Sequence, residues 1–280
     1  MQSYSPIRPS PIAGSWYSNN PDELSREINE YLKNAKVDPT NKHIFGLICP
    51  HAGYFYSGST AGYAYRMVKG HSYELCVVIS PLHDYIPYSL LTSAHKAYKT
   101  PLGEIQVDWD LINDLNHQLE ISKTEKLQPI ANDREHSLEI QLPFLQIALA
   151  GSFHLLPIMV RTQDVSELKE TGKALAECIK DKKVLLVAST DLSHFYTEQT
   201  ANQFDALMLK RIAGFDPEGV LEAEKKEIAF ACGAGAVALT LWTAQYLGAK
   251  DVTVLHHTTS AEASGEKDRV VGYSAAMITG

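Results

Sequence analysis

The chain has 280 residues, 45% of them hydrophobic and 21% charged, with a formal net charge of −8. A chain this long and this apolar can bury roughly three quarters of its unfolded surface, which excludes disorder as its dominant state. The acidic balance argues against a nucleic-acid backbone binder and against a polybasic membrane-surface protein, so neither partner is expected.

The first eleven residues are polar and proline-rich, without the apolar core of a signal peptide. No stretch approaches the ~20 apolar residues of a membrane span. The longest candidate, 228–247, is broken by Gly233, Gly235, Thr240, Thr243 and Gln245. Cys49, Cys76, Cys178 and Cys232 form no CxxC pair. Such a chain is expected in the reducing cytoplasm, where each thiol is either a core group or a functional one.

Taken in order, Asn20-Pro21-Asp22 predicts a helix start, and the helix runs to about Asn34. The apolar run 44–49 predicts a strand buried on both faces. Helical spacing follows at 58–68, then a buried strand at 75–79. Helices are predicted over 109–119 and 137–150, a strand over 155–160, and a helix over 165–180. A strand at 184–188 precedes helices at 197–212 and 235–247. The runs 252–255 and 270–278 predict two more strands, the last closing the sheet antiparallel. This alternation predicts a single α/β domain over residues 1–280, with a largely parallel central sheet flanked by helices.

The chemistry gathers behind three of these strands. His51 follows the first by two residues, His83 comes four residues after Ile79, and Asp191 and His194 follow Ala188. In open α/β sheets ligands bind at the carboxyl ends of the strands. If the three strands are neighbours, their histidines converge, and histidine is the commonest metal-ligating side chain. One such histidine is ordinarily a hydrogen-bonded loop residue; three after three core strands favour a shared site. Cys232 stands immediately before a glycine-rich helix start, where the helix N-terminus favours a thiolate. A small buried residue in a tight turn is the plainer role for it. Cys76 and Cys178 read as core thiols, and Cys49 as a buried thiol at a strand end. Glu135, His136 and Glu139 lie at a helix entrance with Asp133 as the expected cap; spacing does not favour a supporting role for His136. Glu266, Asp268 and Arg269 read as a solvated turn. No P-loop, GxSxG or HExxH motif is present.

Seven segments together resemble the Memo family, also called AmmeMemoRadiSam system protein B in prokaryotes. They are RPSPIAGSWYS (8–18), PHAGYFYSGSTAGYAY (50–65), SPLH (80–83), EHSLEIQLPFLQ (135–146), STDLSH (189–194), ACG (231–233) and SGEKDRVVGYSA (264–275). They run in family order across nearly the whole chain, although SPLH is looser than the family's G-P-x-H. The resemblance implies a fold similar to class III extradiol dioxygenases, the non-haem iron enzymes that open catechol rings. It implies a metal site at His51, His83 and Cys232, with Asp191 and His194 lining the same pocket and Trp16 and Tyr54 in its wall. The ring-opening enzymes have a carboxylate where Cys232 stands. The resemblance also implies association with radical-SAM and AMMECR-like proteins.

Two imidazoles and a thiolate would leave a coordination position open and favour iron(II), copper(I) or zinc over magnesium or calcium. The expected function is that of a redox metalloprotein, an iron- or copper-dependent oxidoreductase acting on an unknown small molecule. In it His194 is the acid/base group and Asp191 orients a ligand histidine. Two alternatives stand beside it. One is a non-redox, metal-assisted hydrolase. The other is a non-enzymatic protein that binds a peptide or partner in the same pocket.

Overall fold

The computed structural model describes residues 5–280. The first four residues of the N-terminal segment read above as leaderless lie outside the described residues. The elements are β1 (Ile7–Arg8), α1 (Pro21–Asn34), β2 (Ile44–Cys49), α2 (Tyr54–Met67), β3 (Leu75–Pro81) and β4 (Leu90–Ser93). Next come β5 (Ala97–Thr100), β6 (Gly103–Gln106), α3 (Trp109–Ile121), β7 (Gln128–Ile130), α4 (His136–Glu139) and α5 (Leu142–Ala148). They are followed by β8 (His154–Val160), α6 (Val165–Ile179), β9 (Val184–Ser189), β10 (His194–Tyr196), α7 (Glu198–Ala213) and α8 (Pro217–Lys225). The chain ends with α9 (Ala234–Tyr246), β11 (Asp251–Thr259), α10 (Ala261–Ser264) and β12 (Val270–Thr279).

The helices begin where local chemistry lets them. Asn20 accepts from the amides of Asp22 and Glu23 while Pro21 sits in the first turn. Asp108, Asp164, Thr197 and Asp216 cap α3, α6, α7 and α8 in the same way. The helix expected over 137–150 is interrupted. Pro143 has no N–H to give to the preceding turn, so α4 stops at Glu139 and α5 starts anew at Leu142. The cap of α4 is Glu135, which accepts from Ser137 N at 2.8 Å, and not Asp133. Asp133 is taken by Arg8, 2.8 Å away.

The result is an α/β domain around a mixed, largely parallel sheet. Its strand order is β10-β12-β2-β9-β3-β8-β4-β7, with β11 also paired to β12. Strands β2, β9, β3 and β8 run parallel. β12 is antiparallel to β2 and to β11, as the closing-strand expectation required. β2, β9 and β3 are adjacent and end almost level: Cys49 is opposite Ser189, and Ile79 is opposite Ala188. Nearly every side chain on these strands is buried, consistent with helices on both faces. Among the described residues no helix is long and apolar enough to cross a membrane.

A second, small sheet of β1, β5 and β6 holds the N-terminal segment. Arg8 anchors it. Its guanidinium is fully buried and reaches Glu139 at 2.6 Å, Asp133 at 2.8 Å and the Glu135 carbonyl at 2.8 Å. Tyr17 donates to the other Glu139 oxygen at 2.8 Å. Burial pushes the Glu139 carboxyl up despite these partners.

Candidate metal centre

The three adjacent strand ends deliver their side chains to one place. His51, His83 and His136 each offer a ligand atom, and these atoms lie within 4.8 Å of one another. The first two follow β2 and β3 as expected. His136 comes from the first turn of α4, which is tied to the same edge. Ser137 Oγ donates to Pro81 O at 2.9 Å, and Ser189 Oγ donates to Ser137 O at 2.6 Å. Gln141 donates to Pro50 O at 2.9 Å and to Ser189 Oγ at 2.8 Å. The ends of β2, β3 and β9 are therefore locked to α4.

The ring orientations follow from these partners. His51 Nδ1 lies 3.1 Å from Ser189 Oγ. His83 Nδ1 lies 3.0 Å from Glu135 Oε1, and His136 Nδ1 lies 3.3 Å from the same oxygen. Nδ1 of His51 and of His83 is hydrogen-bonded, which turns the Nε2 of each away from these partners, the arrangement usual for ligand histidines. Burial holds His51 below its ordinary pKa and lowers His136 to about 4, so both imidazoles are neutral and ligand-ready near pH 7. The hydrogen bond to Glu135 raises His83 instead. Burial alone would raise Glu135; the bonds from His83 and Ser137 hold it below the usual carboxylate range.

Cys232 lies beside this cluster. Its Sγ is 3.1 Å from His51 Nε2 and accepts from Asp191 N at 3.3 Å. Gly233, the N-cap of α9, packs so closely on β9 that a Cβ there would overlap the Ser189 carbonyl. The expected helix-start thiolate is not what this environment produces. Burial, then the Asp191 carboxylate, pushes the thiol up. Cys49 and Cys76 are buried core thiols, as expected.

Asp191 accepts from His51 N at 2.7 Å, and burial raises its carboxyl to about 7. His194 Nδ1 lies 2.8 Å from the Leu192 carbonyl, and burial lowers its pKa. A cavity of about 490 Å³ opens above these groups, lined by His51, His83, His136, Asp191, His194 and Trp16, with Tyr56 and Tyr273 among its other walls. Trp16 packs on His136 with ring centroids 4.2 Å apart. Tyr54, implied as a wall residue, is instead in the core, donating to Ile140 O at 2.9 Å and packing on Phe144. None of the described residues lining the cavity is a lysine or arginine.

Sequence reasoning passed over His136 because it follows no core strand. The signal was its neighbour: Glu135, whose carboxylate is hydrogen-bonded to His83, brings the next residue, His136, to the same place.

The pattern of the Memo-like protein family matches residues 8–277. A MEMO1 family protein of Nitrosopumilus maritimus is 32% identical over 274 residues, covering 96% of this chain and 98% of its own length. A MEMO1 family protein of Methanosarcina barkeri is 33% identical over 277 residues, covering 97% of this chain and 100% of its own. With matches spanning nearly every residue, the chain belongs to the Memo-like protein family.

Proposed function

We propose that His51, His83 and Cys232 hold one transition-metal ion at the floor of the cavity, iron or copper ahead of zinc, in an oxidoreductase acting on a small molecule. The observation that supports this is the convergence of ligand atoms of His51, His83 and His136 at the shared carboxyl edge of β2, β9 and β3, beneath a cavity, with Cys232 Sγ 3.1 Å from His51 Nε2. The donor set fits: two imidazoles have Nδ1 engaged and Nε2 available, and Cys232 Sγ already touches His51 Nε2. A thiolate in the set favours iron(II), copper(I) or zinc. Such an ion, when bound, supplies redox or Lewis-acid chemistry. The class III extradiol type of fold is part of the same proposal, and radical-SAM and AMMECR-like proteins are its proposed associates.

The chain's own residues then have definite tasks. His194 is held neutral by burial, and its Nδ1 is committed to Leu192 O, so Nε2 is the atom that takes a proton. Asp191 fixes the His51 backbone and, raised to about 7, holds or yields a proton near neutrality. Trp16 covers His136 and limits water at the site.

A second reading puts His136 in the place of Cys232. Three imidazoles are a set that activates water on zinc, and hydrolysis would then replace redox chemistry. Partner binding has less support, because none of the described residues lining the cavity is a lysine or arginine that would hold an acidic peptide.

Elemental analysis of anaerobically purified protein, followed by absorption and electron-paramagnetic spectroscopy under dioxygen, tests the first reading. Stoichiometric iron or copper with a dioxygen-dependent spectrum is expected. A redox-silent zinc protein that hydrolyses a substrate would overturn it.

A further inference from the structure

We propose that Asp205 and His257 are positioning residues that set the orientation of His194; this rests on the reading of His194 as the pocket's proton-transfer group. Asp205, on α7, is fully buried. Its Oδ1 accepts from the backbone N–H of Ser193, the residue before His194, at 3.0 Å. Its Oδ2 lies 2.8 Å from Nε2 of His257 on β11. A carboxylate only accepts, so the imidazole donates. The His257 side chain is 25% exposed, which connects solvent to the buried carboxylate.

The opposite side of the same segment is held by β12. Leu192 N donates to Gly272 O at 2.8 Å, and Gly272 N donates to Ser193 O at 2.9 Å. Position 272 admits no side chain, because a Cβ there would overlap the Asp205 carboxylate. Residues 192 and 193 are thus gripped between β12 and Asp205. Immediately beyond His194, Phe195 has φ +65°, a region that residues other than glycine rarely adopt. The backbone around His194 is therefore not in a relaxed conformation of its own choosing; its neighbours impose it. The imidazole that lines the cavity is placed by a carboxylate on another helix and a histidine on another strand.

The test uses the full chain, metal-free and labelled in its histidines, and follows the His194 Cε1–H signal, assigned by its loss in His194→Gln. His257→Leu removes the outer donor at a partly exposed position and is expected to shift or broaden that signal. His257→Gln keeps an N–H donor and is expected to restore it. In Co(II)-loaded protein, His257→Leu is expected to weaken azide binding by about tenfold and leave Co(II) affinity unchanged. Asp205→Asn is expected to shift the same signal, and the His257 variants carry the test if that variant does not fold. An unchanged His194 signal in folded His257→Leu would overturn the proposal. Equal shifts of the His51, His83 and His136 signals would overturn it too, because they would mean general loosening. Failure of the wild type to take up Co(II) would defeat the metal reading instead, and the metal-free signal would still decide this one.

Discussion

The sulfur of Cys232 lies 3.1 Å from Nε2 of His51, the nitrogen that every candidate ligand set requires. The two side chains come from opposite ends of the chain and meet because β2 and β9 are neighbours and α9 begins against β9.

That contact makes the third ligand measurable. The metal-free pocket favours the protonated thiol, so an ion held by Cys232 must expel a proton on binding. Apparent affinity for iron(II) should rise about tenfold per pH unit around neutrality from this one proton. Cys232→Ala should lower the affinity strongly, release one proton fewer and flatten that dependence, while folding remains intact. Calorimetry in buffers of different ionisation enthalpy reads the proton count. Identical proton release and metal content in both proteins would move the third position to His136.

Glu135 should matter to metal binding without touching the ion. Its carboxylate holds His83 through Nδ1 at 3.0 Å and His83 N at 2.7 Å. Glu135→Ala is expected to weaken metal affinity by about 10- to 100-fold. Competition with a chromogenic chelator measures this, and an unchanged affinity would show that His83 needs no such support.

His194 should be dispensable for holding metal and needed for reaction. His194→Ala is expected to keep the wild-type metal content by elemental analysis and to lose dioxygen-dependent turnover. A fully active variant would remove His194 from the mechanism.

Arg8 should be a stability residue: it is bonded to the Glu135 carbonyl and does not line the cavity. Arg8→Met leaves Glu139 and Asp133 without their cation in a buried site. A loss of about 3–5 kcal/mol is expected from breaking such a pair. Urea unfolding followed by circular dichroism reads it, and a change near zero would mean that the network costs as much to bury as it returns.

The buried strands and the long helices were legible because their periodicity is strong: 44–49, 75–79, 155–160 and 184–188 all became core strands. The short pieces were not. The β5–β6 hairpin and β7 have too few residues to show a period. At the site, His51, His83, Asp191 and His194 announced themselves by following strands. His136 did not, because its placement depends on Ser137 and Gln141 gripping strand ends far away in sequence. The protonated state of Cys232 in the metal-free pocket is hidden from the sequence for a related reason. Helix position is local, whereas burial and the Asp191 charge come from tertiary packing.

The placement of β12 has a consequence for synthesis. β2, which leads into His51, pairs on one side with β9 and on the other with β12. During N-to-C-terminal elongation, β2 therefore emerges from the ribosome long before either neighbour exists. Until Val270–Thr279 appear, it presents an open hydrophobic edge that other chains can pair with. The histidine-lined cavity is consequently a late product of folding, and premature termination before β12 should yield aggregates in place of soluble protein.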